Sequence, residues 1–434
     1  MKFAIFAVVL FFGLISFGQE KKAQDEKPEL APEGKSQDLT SEDMGGTLTH
    51  DPFGFRSKEE RLKALKKYGG DEAAEDAVLK ALRWLKSKQR VDGSWGVGPD
   101  DPIMSRTDSP TALTGLALLA FLGHGETPKS KEFGATVSKA IQCLMVLSKS
   151  KKGDGYFIIG DTYQAYNHAI CTFALCEAYG MTRDTEIFEA MNAAVKKIVD
   201  GQRRDGGWDY KYGNSPRRDL SVGGWNMQAL NAARAASANV DGLHGAIRKA
   251  VNDVKSHWEG KTGMFTYSNE KKGGSHTLTG VGVLCLIELD GTKSAEFKGA
   301  MRYLVKNAKM EWSQCQRSTW NLYSWYYQTL SFFKSEQNWK EWNSEMKKIL
   351  VANQEGDGYW EAKDWNGGIE GQIYSTTLCT LMLEVYYRYF NVSTEKELKG
   401  GGGGGGSGKS DGDDDKKKED QPEDKLPGYK GIDY

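Results

Sequence analysis

The residues able to do chemistry stand where apolar helical runs are about to begin. Positions 107–113 read TDSPTAL and offer Asp108 beside Thr111, positions 219–225 read DLSVGGW and offer Asp219 and Trp225, and positions 275–277 read SHT and offer His276. Tyr166, Asn167 and His168 open another such run, and Trp320, Tyr323, Tyr374 and Ser375 open two more. A carboxylate close to an imidazole is the raw material of general acid–base chemistry or of a metal site. No His stands at ligand spacing to a second His or Cys, so no metal motif is complete; Asp219 and His276 are weak metal candidates, and no cofactor is assigned. The structural reading of the same residues is that Asp108, Asp219 and Ser275 cap helices. His124, His244 and His257 fall at turns or on outer helices and carry no role. The six Cys form no C-x-x-C pair, and most lie in apolar runs, where they read as small core residues. An oxidising compartment would permit a disulfide, but the spacing pairs none of them. The acidic run at 413–415 lacks the Gly and the distant Glu of a calcium loop.

The elements that position these residues are written in an internal repeat. QRVDGSW at 89–95, QRRDGGW at 202–208 and QEGDGYW at 354–360 share the pattern Q-x-x-D-G-x-W, and each follows a helical stretch rich in Ala, Lys and Leu. Weaker copies end at Phe157 and Phe265, and a degraded one sits near Trp312. A second, more apolar helical run follows each anchor. A helix with one polar face belongs outside and one apolar nearly all round belongs in an interior. The pattern therefore predicts six hairpins, each an outer helix followed by an inner one, closing into an (α/α)6 toroid. Asp-Gly reverses the chain after each outer helix, Gln bonds free backbone groups of a neighbouring helix, and Trp clamps the end. Asp92, Asp205 and Asp357 are scaffold on this reading.

The motif resembles the QW repeat of the triterpene (squalene-hopene type) cyclases. The alternation of outer and inner helices resembles the ring shared by the terpenoid cyclase and protein prenyltransferase superfamily and by complement thioester domains. The resemblance spans about residues 71–390 and implies an all-α toroid with a central cavity. The catalytic motifs of the superfamily do not come with it. The cyclases' D-x-D-D-T-A run has TDSPTAL as its nearest counterpart, where Thr111 and Ala112 fit but Asp108 stands alone and out of register. Protonating an alkene needs crowded carboxylates, one of which keeps its proton. The prenyltransferase zinc run D-x-C is matched by Asp219, with Ser221 in the Cys place and His276 in the later His place. The thioester motif G-C-G-E-Q is absent.

The ends differ from the middle. Residues 1–19 carry one Lys before an apolar run at 3–17 and then small and polar residues, a signal-peptide pattern that directs export. That run is short of the ~20 apolar residues a membrane-spanning helix needs, so the mature chain is expected to be exported, periplasmic or extracellular, and not integral to a membrane. Residues 20–70 read as a polar, largely disordered leader with helical character over Lys58–Tyr68, 71–390 as the toroid, and 391–434 as a Gly-rich, mixed-charge disordered tail. A net charge of −1 argues against nucleic acid as a partner, which would need a basic excess.

In such a ring the starts of the inner helices face one mouth of the hole, which places Asp108, His168, Asp219, Trp225, His276, Trp320, Tyr323 and Tyr374 as the cavity-lining candidates. The expected role is binding of an apolar or extended ligand, or of a partner chain or peptide, in that cavity. One rival is a cyclase-like or prenyltransferase-like enzyme with a non-standard site. The other is an exported polysaccharide lyase or hydrolase, since stacked Trp and Tyr with an Asp suit sugars. Tyr and Arg together, or two carboxylates in a groove, favour the glycan enzyme; a dry hole with one protonated Asp favours the cyclase; a hole plugged by side chains favours a scaffold. Binding and catalysis are both left open by these residues.

Overall fold

A computed structural model describes residues 53–96, 109–149, 155–157, 164–213, 215–289, 291–315, 320–361 and 369–389. The signal-peptide pattern, most of the leader, the tail and the candidate Asp108 lie outside the described residues.

A 3-10 turn (Gly54–Arg56) and helix α1 (Lys58–Tyr68) precede the ring, the latter where the leader read as helical. The leader's last stretch is therefore part of the fold. Six outer helices follow: α2 (Glu72–Lys88), α4 (Gly134–Ser148), α6 (Thr185–Asp200), α8 (Leu243–Ser256), α10 (Ala295–Asn307) and α13 (Trp339–Ala352). They alternate with six inner ones: α3 (Ser109–Gly123), α5 (Gln164–Thr182), α7 (Leu220–Ala235), α9 (His276–Leu289), α12 (Trp320–Ser335) and α14 (Ile369–Leu383). Short helices α11 (Trp312–Cys315) and α15 (Val385–Arg388) complete the set. The outer helices are amphipathic: α6 buries Ile187, Ala190, Met191, Ala194, Val195 and Ile198, a single stripe at helical spacing. The inner ones are buried nearly all round, as α5 is from Ala165 to Ala178. Each inner helix packs on the next, α3 on α5, α5 on α7, α7 on α9, α9 on α12 and α12 on α14, and α14 packs back on α3. The ring is closed.

The staple behaves as its residue types predict. Gln202 Nε2 donates to Gly206 O at 2.8 Å, holding its own turn, and to Ala246 O at 2.8 Å on the next outer helix. Gln89 does the same with Gly93 and Thr136. Gln354 reaches Gly358 and, at 2.8 Å, Ala77 of α2, so the sixth hairpin is tied to the first. The indoles of Trp95, Trp208 and Trp360 each donate to a carbonyl ten residues back on the preceding outer helix, Leu85, Ile198 and Leu350. Gly206 has φ +100°, and a Cβ there would stand 2.1 Å from Lys249 O, so only glycine lets the turn lie this close to the next helix.

Two features depart from the repeat. The fourth turn is elaborated into a three-stranded antiparallel sheet, β1 (Trp258–Glu259), β2 (Met264–Thr266) and β3 (Gly274–Ser275), with Phe265 facing Trp258 and Ser275. Trp312, expected as the degraded anchor, starts α11 and is only half-buried; Trp325 reaches back instead, donating to Lys309 O at 3.1 Å. All six cysteines are free thiols, five of them buried.

Candidate functional site

The inner helices alternate with outer ones round the ring, so their N-termini gather at one end, called the mouth below. At the start of α7, Asp219 is the N-cap: Oδ1 accepts from Ser221 N at 2.9 Å and Val222 N at 3.2 Å. Its other oxygen accepts from Arg217 Nη2 at 2.5 Å. Arg217 also pairs with Asp209, so one guanidinium joins two carboxylates, a charge-assisted arrangement stronger than neutral hydrogen bonds. The guanidinium lies 5.1 Å from the ring centre of Tyr210 and 5.4 Å from that of Tyr267, in cation–π range, and the two tyrosine hydroxyls bond each other. Tyr166 of α5 bonds Ser221 Oγ, which in turn donates to Asp219, and Tyr323 of α12 donates to Ser221 O at 3.3 Å. The backbone fixes these loops: Ala165 N donates to Tyr210 O and Leu220 N to Tyr267 O, both at 3.0 Å. Three inner helices, the loop before α7 and the sheet connection thus meet at one ring of hydroxyls, carboxylates and aromatic faces.

Electrostatics assign these groups their protonation. Burial opposes the charge of Arg217, but Asp219 and Asp209 outweigh it and hold the guanidinium protonated. Burial, reinforced by the nearby Asp219 charge, pushes the hydroxyls of Tyr166 and Tyr267 far above the usual phenol range. The tyrosines are therefore donors with aromatic faces, not bases. Of the two carboxylates, Asp209 has a side chain 14% exposed and Asp219 has none, so Asp209 is the more accessible. Protonated donors, fixed acceptors and half-buried aromatic rings are thus gathered in one place.

The remaining candidates divide. Tyr374, on α14, is half-buried. Trp225 lies deeper, stacked on Tyr326 at 5.8 Å and edge-on to Tyr327 at 5.9 Å. Trp320 opens α12, and its side chain is outside the description. His276 is half-buried, bonded to Tyr303 through Nδ1 at 3.3 Å and to Gln328 through Nε2 at 3.0 Å, and burial lowers its pKa. Among the described residues no three His, Cys, Asp or Glu side chains are grouped to hold a metal ion. His168 is a correction to the sequence reading. Its Nδ1 accepts from Phe157 N at 3.3 Å and its Nε2 donates to Ala194 O at 2.9 Å. In three other hairpins a threonine takes the anchor's backbone N–H: Thr114 for Trp95, Thr279 for Phe265 and Thr376 for Trp360. His168 is the staple of its hairpin, and burial depresses its pKa to about 3, so it stays neutral. Asp209, Tyr210, Arg217 and Tyr267 were not singled out in the sequence. The clue available was the S-P-R-R-D run at 215–219, which places Arg217 two residues before the capping Asp.

No family model matches the chain, and no characterised protein matches it by sequence. Solved structures match its fold, and these define the class as an (α/α)6 toroid of the kind glycoside hydrolases use. A GH76 α-1,6-mannanase from Salegentibacter sp. HEL1_6 superposes with TM-score 0.55 at 9% identity, covering 72% of this chain and all of that one. An inactive variant of that enzyme in complex with α-1,6-mannotriose gives 0.54 at 11% identity, covering 73% and 99%. The GH76 α-mannanase of Bacteroides thetaiotaomicron gives 0.51 at 11% identity, covering 75% and 98%. These neighbours overturn the resemblance to terpenoid cyclases and prenyltransferases. The Q-x-x-D-G-x-W staple solves a packing problem of α/α hairpins and does not mark that lineage.

Proposed function

We propose that this chain is an exported polysaccharide-active protein, a glycan hydrolase that binds its substrate at the mouth formed by the inner-helix N-termini. The observation that carries the reading is the cluster of Arg217, Asp209, Asp219, Tyr166, Tyr210 and Tyr267, a combination of Arg, Tyr and paired carboxylates at the inner-helix N-termini. The match in fold to GH76 toroids supports it. The polar character of the mouth weighs against the apolar-ligand reading. The N-terminal export pattern would put the protein where glycans are met, and no described helix is long and apolar enough to cross a membrane.

Hydrolysis of a glycosidic bond needs a proton donor as well as a carboxylate. Asp219 is committed to its helix and to Arg217, so Asp209 serves as the acceptor that meets sugar hydroxyls. The carboxylates to be tested are Asp209 and Asp219. The test is release of reducing sugar from a panel of polysaccharides, α-1,6-mannan first, by the secreted protein and by Arg217→Ala and the single Asp→Asn variants. Release that falls at least about 100-fold in one Asp→Asn variant, with folding unchanged, supports the reading. Failure of every polysaccharide to be bound or cleaved contradicts it.

A further inference from the structure

Arg203 carries a buried charge in a turn that needs none. It is the second residue of the Q-x-x-D-G-x-W pattern, and in all three full turns the backbone at that place closes the loop. Arg90 N donates to Ser94 O at 2.9 Å, Arg203 N to Gly207 O at 3.1 Å and Glu355 N to Tyr359 O at 2.8 Å. Any residue but proline supplies such a bond. The side chains differ. Glu355 is exposed, and Arg90 is 34% exposed with its Nε 3.7 Å from Asp92 of its own turn. Arg203 turns inward instead: its side chain is 7% exposed, and Nη2 lies 3.8 Å from Oδ2 of Asp209. The aspartate of its own turn, Asp205, pairs with Arg218 at 3.1 Å.

This burial works against the fold. Nε, Nη1 and Nη2 of Arg203 are all buried, and none is hydrogen-bonded among the described residues. A buried ion in that state loses its hydration and regains only Coulomb attraction. Burial lowers its pKa; Asp209 and Asp205 pull the other way, and the like charges of Arg217 and Arg218 add to the lowering. Groups that a fold would be more stable without concentrate at sites, where stability is given up for geometry.

The geometry in question is that of Asp209. Its Oδ1 accepts from Tyr210 N at 2.9 Å and from Arg217. Its Oδ2 is held less firmly, by Ser215 Oγ at 3.2 Å, and faces Arg203. We infer that Arg203 is a positioning residue: its charge keeps Oδ2 of Asp209 from rotating away, so that this oxygen offers a fixed lone pair to a sugar hydroxyl. The assignment rests on the reading that Asp209 receives the glycan.

The experiment compares Arg203→Met, which keeps much of the volume and removes the charge, with Arg203→Lys, which keeps the charge. Both are made in the full mature chain. Asp209 retains Arg217 in either variant, so no carboxylate is stranded. Thermal unfolding of Arg203→Met should give a midpoint equal to or above that of the parent, because an ion without hydrogen bonds has left the interior. Its kcat/KM on the polysaccharide that the panel selects, α-1,6-mannan first, should fall about tenfold or more. Arg203→Lys should stay within about threefold of the parent, since none of the guanidinium's hydrogen-bonding geometry is used and a point charge suffices. A lowered midpoint in Arg203→Met would assign the residue to the scaffold and overturn the inference. So would a Met variant as active as the parent, or a Lys variant as impaired as the Met one. A parent protein that neither binds nor cleaves any polysaccharide of the panel overturns the functional reading, and the assignment of Arg203 falls with it.

Discussion

Glu384 sits beside the Arg56–Glu177–Arg388 cluster with neither carboxyl oxygen hydrogen-bonded. Burial pushes its pKa well above the usual carboxylate range, more than Arg388 and Arg56 pull it down. The sign of the consequence follows from linkage: an unfolded chain ionises this group above about pH 4.5, while the folded one resists, so stability is lost as pH rises from there towards the folded pKa. Glu384→Gln should therefore raise the thermal midpoint at pH 8 more than at pH 5; an equal or opposite effect at the two pH values would show that the group is ionised and paired in the native state. His168 offers a second residue-scale check. Since threonine holds the same place in three hairpins, His168→Thr should fold, lose about 1–2 kcal/mol with the Ala194 bond, and keep its glycan activity. A loss of activity beyond tenfold, with stability intact, would return His168 to the site. At the mouth, Arg217→Ala removes a charge-assisted partner from both Asp209 and Asp219, and sugar binding measured by calorimetry should weaken about 10- to 100-fold.

At the scale of elements, the hairpin is the unit and the Q-x-x-D-G-x-W turn is its fastener. Gln202→Ala leaves Gly206 O and Ala246 O without their donor, and chemical denaturation should register a loss of about 1–3 kcal/mol. Gly206→Ala should cost more, because it adds a strained φ to a clash with Lys249 O. A null result for both would mean that the turns are passengers on packed helices. This level was legible in the sequence, because the staple is local: Gln, Gly and Trp sit within seven residues and their partners are backbone atoms that every helix supplies. The site was only half legible. Asp219 and Tyr323 announced themselves by standing at helix starts, but Arg217, Tyr210 and Tyr267 lie in connections, where no periodicity marks which side chain turns inward. His168 misled for the same reason in reverse: a helix-start imidazole looks like chemistry, and only the distance to Phe157 N reveals a staple.

The whole molecule is a ring fastened twice, once by Gln354 reaching α2 and once by Arg56 and Arg388 meeting at Glu177. Removing one partner of a buried ion cluster strands the others, so Glu177→Ala should lower stability by about 3–5 kcal/mol in a single cooperative transition. A separate early transition, with the rest of the ring intact, would mean that closure is not required for the fold. On the proposed function, the ligand lies on the polar, aromatic face at Arg217. The direct measurement is a crystal structure of the mature protein soaked with α-1,6-mannotriose or with whichever oligosaccharide the polysaccharide panel selects. Sugar density should lie against Tyr210, Tyr267 and Asp209 at the inner-helix N-termini. A sugar on the outer helices or at the Arg56 end would contradict the account, as would a mouth empty at saturating ligand.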